Sequence, residues 1–295
     1  MTDPTQTAAL PPGGGRTAQR IRALVHSPSG VAGLVIVLAL ALLALVSAAG
    51  VLPHDAITQD PPARLQGPSA AHWFGTDQFG RDVFARTAAA VSNSMLISIT
   101  AVALATVVGT VSGIAAGFYR RLPDAIISGV TNVLFAFPPL LLALSLASVL
   151  SRNWFTIAAA IALVYVPIFI RVTRGPVLSL REVDYVRAAT ATGQSRLAIM
   201  ARHVLPNIMP IVIVQVTLSL SWAVLTEASL SFLGLGTPAP AASLGSMILD
   251  ARTLVQIAPW TMLAPGALVV ALVVGLNLLG DGLRDVLDPR SGDTK

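Results

Sequence analysis

Few side chains in this sequence have the type and spacing that catalysis requires. Cysteine is absent, which excludes a thiol nucleophile, a zinc–thiolate site and an iron–sulfur cluster. The sequence contains no GxxxxGK[ST] phosphate loop, no HExxH zinc motif and no GxSxG nucleophile elbow. His72 is close to Asp77 and Asp82 in sequence, but a metal site needs several convergent ligands. We therefore predict no catalytic residue, no metal site and no cofactor bound by this chain.

Glu227 is the one acidic residue within the hydrophobic stretches, and it is a candidate for transport chemistry. It lies about 30 Å of helical rise into its stretch, so we expect it near the outer membrane boundary. At that position a structural role and a role in transport are equally open. Pro138 and Pro139 interrupt another stretch at its middle. Proline removes a backbone donor, and the resulting kink can shape a transport path or serve packing alone. These three residues are our candidates for a path or gate.

Composition places these candidates in a membrane protein. Of the 295 residues, 54% are hydrophobic and only 11% are charged, with a mean hydropathy of +0.75. Soluble domains carry about 25% charged residues, so a disordered chain, a coiled coil and an ordinary soluble enzyme are excluded. The net charge of +5 could suit either nucleic acid or an anionic membrane. The hydrophobic segments indicate a membrane rather than nucleic acid, so we predict no nucleic-acid partner.

Six hydrophobic stretches are long enough for a membrane span of about 20 residues. As helices they would satisfy their own backbone hydrogen bonds in lipid. The first exceeds the apolar run of a signal peptide, so we expect it to be retained. We predict an all-α membrane protein with six transmembrane helices. The stretches are 25–54, 86–120, 124–152, 152–171, 204–226 and 252–281.

The distribution of arginine predicts the orientation of the helices. With six spans, most arginines fall on the side that holds both termini, including those of the long segment 171–206. Positive charge marks the cytoplasmic side, so both termini should be cytoplasmic. Segment 171–206 contains a helix-like run, 183–193, that ends in Gly193 as a cap. Its small residues would let a groove of a partner protein approach closely. The alternative is that the segment is a solvated connecting loop.

The external loop 54–90 combines aromatic and charged residues, which is typical of a docking surface. The alternative is that its aromatic residues anchor the chain at the membrane interface. The docking candidates are Trp73, Phe74, Asp77, Arg81 and Asp82.

Four motifs in the same order resemble one family. Residues 187–193 and 203–207 resemble the EAA loop of binding-protein-dependent ABC importer permeases. Residues 74–82, 227–236 and 277–290 narrow the resemblance to the dipeptide/oligopeptide (nickel) branch, and to its C-type permease subunit. The resemblance extends over about residues 20–290. Three positions depart from the general pattern: Arg187 replaces Glu, His203 replaces an aliphatic residue, and Leu244 replaces Trp before Gly245.

The resemblance implies a type I ABC importer permease fold. Residues 1–30 would be a cytoplasmic tail, 31–53 a peripheral first helix, 88–282 the core with helices two to six, and 283–295 a cytoplasmic C-terminal tail. The loop 171–206 would hold a coupling helix seated in an ATPase subunit. The expected ATPase-coupling residues are Asp184, Tyr185, Val186, Arg187, Ala188, Ala189, Thr192 and Gly193.

The resemblance also implies a complex in a bacterial cytoplasmic membrane. A paralogous permease would complete the path, two ATP-binding subunits would hold ATP and Mg²⁺, and an extracytoplasmic substrate-binding protein would deliver peptides for alternating access. The chain itself would not be an enzyme. Alternatives are a stand-alone channel or secondary transporter, a membrane scaffold for a cytoplasmic partner, and import of another solute such as nickel or haem.

Overall fold

A computed structural model describes residues 27–287, and this part of the chain is helical apart from loops and one isolated bridge between Thr76 and Asp82. The predicted tails 1–30 and 283–295 lie mostly outside the described residues. The helices are α1 (Pro28–Ala48), α2 (Val83–Tyr119), α3 (Arg121–Ala136), α4 (Pro139–Val149), α5 (Trp154–Leu180), α6 (Asp184–Ala191), α7 (Arg196–Ile199), α8 (Leu205–Phe232), α9 (Leu244–Ala251) and α10 (Trp260–Leu287), with a 3₁₀ turn at Pro61–Ala63 and a π-helical segment at Met200–Val204.

Five helical segments of the described chain are long and apolar enough to cross a membrane. They are α1, α2, α5, the continuous segment Arg196–Phe232 and α10. The pair α3 and α4 meets the same test jointly but bends by 93°, and it makes a sixth span if counted as one. The break falls at Phe137 and Pro138, because Pro139 cannot donate a backbone hydrogen bond and starts a new helix. The predicted kink is therefore a sharp break.

Helix α2 begins at Val83, inside the segment predicted as external loop 54–90. The carboxylate of Asp82 accepts a hydrogen bond from the backbone N–H of Ala85 at 2.7 Å, which caps the helix at that point. Helix α1 likewise ends at Ala48, before the predicted limit of 53. In the segment 171–206, helix α5 extends to Leu180 and the continuous helical segment Arg196–Phe232 begins at Arg196, so residues 181–195, which include α6, connect them.

The centre of the fold is the contact between α2 and α5, which three glycines at four-residue spacing make possible. A Cβ atom at Gly113 would lie 2.7 Å from the carbonyl oxygen of Ile170, and one at Gly117 would lie 3.0 Å from that of Arg174. Gly109 meets α5 in the same way one turn earlier. Small residues at this spacing let two membrane helices approach backbone to backbone. The glycine ridge of α2 thus fixes α5, which leads directly to α6.

Helix α1 lies at the edge of the bundle. It packs on α10 at Gly33, where a Cβ atom would meet the carbonyl oxygen of Gly275 at 2.7 Å. The opposite side of α1 exposes large apolar side chains, among them Leu42 and Leu45, which are 62% and 67% exposed. Such a surface suits lipid rather than water.

Candidate functional site

Helix α6 is the structure of the predicted coupling segment. It starts at Asp184 and ends at Ala191, and Gly193 follows with φ of +78°. The N–H of Gly193 donates to the carbonyl of Thr190, and the N–H of Gln194 donates to that of Ala189. This pair of bonds is a Schellman cap, which needs the left-handed backbone that glycine adopts without strain. The glycine cap predicted from the sequence is present.

The eight predicted coupling residues divide into two faces. Val186 and Ala189 are buried, 1% and 7% exposed, and belong to the same buried apolar cluster as residues of α2 and α5. These two residues anchor α6 to its own chain and are not available to a partner. The other six are exposed and form the outer face: Asp184, Tyr185, Arg187, Ala188, Thr192 and Gly193.

An ion pair organises the charge beside α6. Arg187 donates a hydrogen bond to Glu182 at 2.6 Å, and Arg120 lies 3.6 Å from the other carboxylate oxygen. The hydrogen bond from Arg187 holds the pKa of Glu182 below its ordinary value, and the same bond raises the pKa of Arg187. The acid that pairs with Arg187 is thus Glu182. Both side chains border a cavity of about 440 Å³ beside α6.

The broken span borders the largest cavity described, with a volume of about 780 Å³. Pro139 lies on its wall, as do polar side chains that the sequence interpretation did not select. Tyr165 and Thr226 are joined by a hydrogen bond of 3.1 Å, and Gln215 donates to Ser219 at 3.1 Å. Among the described residues that line this cavity, none carries a formal charge.

The polar wall of the cavity has a simple signal in the sequence. Five residues of α8 recur at helical spacing and share one face. They are Gln215, Ser219, Trp222, Thr226 and Ser229. A search for polar side chains at helical spacing within the apolar stretches would find this pattern. Trp222, at 62%, is the exposed residue among these five.

Glu227 is not on this wall. Its side chain is fully buried, with 0% exposure, between α2 and α8. Ser94 donates a hydrogen bond to one carboxylate oxygen at 2.7 Å, and Ser231 donates to the other at 2.6 Å. Helix α9 closes over this region, where a Cβ atom at Gly245 would collide with the carbonyl of Ala228. The burial and hydrogen bonds of this carboxylate favour the structural one of the two roles that the sequence left open for Glu227.

Most of the predicted docking residues have partners within the external loop. Asp77 pairs with Arg81 at 2.7 Å and lies 3.6 Å from Arg86. Asp82 is buried as the cap of α2, and the ring of Phe74 packs edge-on against Phe84. These four predicted docking residues therefore stabilise the loop and the start of α2.

Trp73 differs from them, because it is 57% exposed. It is the predicted docking residue with a large free surface, and it also packs against Phe84 with 4.9 Å between ring centroids.

Comparison with known proteins decides the family. Residues 109–293 match the family described as "Binding-protein-dependent transport system inner membrane component". The chain belongs to this family. Residues 16–68 also match the "N-terminal TM domain of oligopeptide transport permease C". The resemblance to the C-type branch of these permeases is thereby confirmed.

Similar permeases cover nearly the whole chain. The "Dipeptide transport system permease protein DppC" of Alkalihalophilus pseudofirmus is 41% identical over 92% of this chain and 89% of its own length. The "Probable D,D-dipeptide transport system permease protein DdpC" of Escherichia coli is 38% identical over 93% and 92%. A permease chain in inward-facing structures of the MetNI methionine ABC transporter matches with a TM-score of 0.55 and 18% identity, over 68% of this chain and 94% of its own.

Family membership fixes several properties of this permease. It is a multi-pass inner-membrane component with the type I importer fold. It is a transport subunit rather than an enzyme, and ATP hydrolysis belongs to a partner ATPase. It works within an importer complex that includes ATPase and substrate-binding partners.

Proposed function

We propose that this permease imports dipeptides or oligopeptides. The observation that carries the proposal is the uncharged cavity at the broken span, with its polar side chains on an otherwise apolar wall. Peptides share backbone donors and acceptors whatever their side chains. A path with hydroxyl and amide groups and no fixed charge can therefore pass many sequences without holding one tightly. The naming of the two similar permeases for dipeptide transport supports this cargo.

The path would be completed by a paralogous permease related by an approximate two-fold axis. The cavity of about 780 Å³ is lined by residues of α3, α4, α5 and α8 and of the break between α3 and α4, and a second subunit would form its other wall. Pro138 and Pro139 break the helix at this wall and would let α3 and α4 move separately. Through its hydrogen bond with Ser94, Glu227 would hold α2 and α8 together rather than act as a gate.

Helix α6 would transmit the motion of the ATPase. Its buried residues Val186 and Ala189 tie it to the core, so a force on its exposed face moves the bundle with it. Two ATP-binding subunits, with ATP and Mg²⁺, would pull the coupling helices of the two permeases together. The path would then open to the outside by rigid-body motion, which is alternating access.

The external side would receive the substrate-binding protein. The arginine distribution supports cytoplasmic termini, and the loop that carries Trp73 would then face outward. Aromatic side chains with large exposed area are typical anchors of protein interfaces, and Trp73 would serve as one.

Affinity purification from native membranes in mild detergent, followed by mass spectrometry, tests the complex. We expect a second permease together with two ATP-binding chains or one duplicated ATPase. Recovery of this chain alone, or of a homo-oligomer after crosslinking, would contradict the proposal and favour a channel or secondary transporter.

Uptake by proteoliposomes of the purified complex, with its binding protein and ATP, tests the cargo. A labelled dipeptide should accumulate, whereas Ni²⁺ and haem should not. Accumulation of Ni²⁺ or haem in place of the dipeptide would overturn the peptide assignment while leaving the permease role intact.

A further inference from the structure

Two histidines and one aspartate that are distant in sequence come together at the external loop. The potential ligand atoms of His54, His72 and Asp82 all lie within 4.8 Å of one another. Nδ1 of His72 is 2.8 Å from Oδ2 of Asp82, and the ring centroids of His54 and His72 are 4.7 Å apart. The cluster lies apart from both the cavity at the broken span and helix α6.

We propose that these three side chains bind one divalent transition-metal ion of the Zn²⁺ class. Imidazole nitrogen and carboxylate oxygen are ordinary ligands of Zn²⁺, and three protein ligands leave a further position for water. The sequence interpretation predicted no metal site, because such a site needs several convergent ligands and the four histidines are scattered along the sequence. In the folded chain, His54, which follows α1, lies close to His72 and to Asp82 at the start of α2.

Neighbouring groups orient the proposed ligands. One oxygen of Asp82 accepts the N–H of Ala85 at 2.7 Å, which fixes the carboxylate and leaves its other oxygen facing His72. Nε2 of His54 lies 2.8 Å from the carbonyl oxygen of Ala71. If Nε2–H donates to that carbonyl, Nδ1 of His54 is the unprotonated nitrogen that a metal needs. A backbone carbonyl bonded to the second nitrogen is the usual support of a metal-binding histidine.

The ion would join three segments of the external surface. His54 follows the end of α1, His72 lies in the loop, and Asp82 caps α2. A cavity of about 440 Å³, which His54, Trp73 and Asp82 border, gives access from outside. The ion would fasten α1 to the outer end of α2 and hold the loop of Trp73 in place. Because the site is separate from the proposed path, its occupant would be structural rather than cargo.

Zinc titration of the full-length chain in its purified complex tests the site. The affinity tag must lack histidine, and the protein is first stripped with a chelator and desalted. Isothermal titration with Zn²⁺ should show one equivalent for each copy of the chain. His54→Ala and His72→Ala should each weaken Kd by at least about tenfold, since loss of an outer-shell partner alone costs about 10–100-fold. The matched control His203→Ala removes a histidine near α6 and should bind as wild type does.

His54 is exposed, so His54→Ala should melt at the temperature of the metal-free wild type and report binding alone even where His72→Ala folds poorly. Absence of saturable binding in the wild type would overturn the proposal, leaving a hydrogen bond between His72 and Asp82. Binding that His54→Ala leaves unchanged would overturn it equally.

Discussion

The guanidinium of Arg174 donates two hydrogen bonds to the carboxylate of Asp124, at 2.6 and 2.8 Å. Arg174 is on α5 and Asp124 is in the first turn of α3, so the pair joins the broken span to the helix that leads to α6. The two parallel bonds fix direction as well as distance. Within residues 27–287, this pair is the salt bridge that joins α3 to α5.

Removing this pair should loosen α3 without unfolding the chain. Both side chains are partly exposed, so we expect Arg174→Ala to lower the free energy of unfolding by only about 1 kcal/mol. A double-mutant cycle with Asp124→Ala, read by thermal unfolding in detergent, should show that the two effects are not additive. Arg202→Ala, which removes an exposed arginine, is the control. Strict additivity would show that the pair contributes nothing.

The glycine ridge of α2 should tolerate no added carbon at Gly113. Gly113→Ala would force α5 away, at a cost of about 1–3 kcal/mol for overpacking. The matched control is Gly129→Ala, because no atom lies within 4 Å of a Cβ at that helical position. The melting temperature of Gly113→Ala should therefore fall below that of the wild type. That of Gly129→Ala should rise, since alanine is the better helix former where space allows. Equal melting temperatures would contradict the close contact of α2 and α5.

Glu227 should matter for stability rather than for transport. Glu227→Ala leaves the hydroxyls of Ser94 and Ser231 without their shared partner, at a cost of about 1–3 kcal/mol. Glu227→Gln keeps an acceptor of the same shape, and we expect peptide uptake within about twofold of wild type. Uptake assays and melting curves should be measured together. Loss of uptake in Glu227→Gln at an unchanged melting temperature would instead assign Glu227 to the transport path.

Gly193 should be sensitive to substitution although its surroundings within the chain are open. Gly193→Ala places a side chain on a backbone with φ of +78°, at a cost of about 1–2 kcal/mol, and Gly193→Asn should be better tolerated. Gly193→Trp should reduce substrate-stimulated ATP hydrolysis by the assembled complex. Among the described residues no atom lies within 4 Å of a Cβ at this position, so the added ring would meet the ATPase instead.

The control for Gly193 is Gly175→Ala, at a helical position with nothing within 4 Å of the added Cβ. This variant should retain coupling. If Gly193→Trp supports uptake at the wild-type rate, α6 is not the contact with the ATPase.

The sequence predicted local features best where one residue type has one physical effect. Gly193 ends α6 because glycine accepts the left-handed backbone, and Pro139 breaks the third span because it lacks an N–H. The inward direction of Val186 and Ala189 was not predicted, although their three-residue spacing places both on one face of the helix.

Contacts between distant segments escaped prediction for a different reason. The rise along its helix predicts a depth for Glu227 in the membrane but says nothing of what packs beside it. Ser94 and α9 are what bury it. In the same way, His54 and His72 are 18 positions apart and meet only because the chain after α1 folds back over the start of α2.

Site-specific crosslinking tests whether α6 contacts the ATP-binding subunit. The chain has no native cysteine, so Ala188→Cys on the exposed face of α6 is a unique thiol of this subunit. A short thiol-to-amine crosslinker applied to the assembled complex should join Ala188→Cys to the ATP-binding subunit. The control Ala71→Cys, on the external loop, should give no such product. An ATPase adduct from Ala71→Cys, or none from Ala188→Cys in a complex that retains its ATPase, would contradict the account.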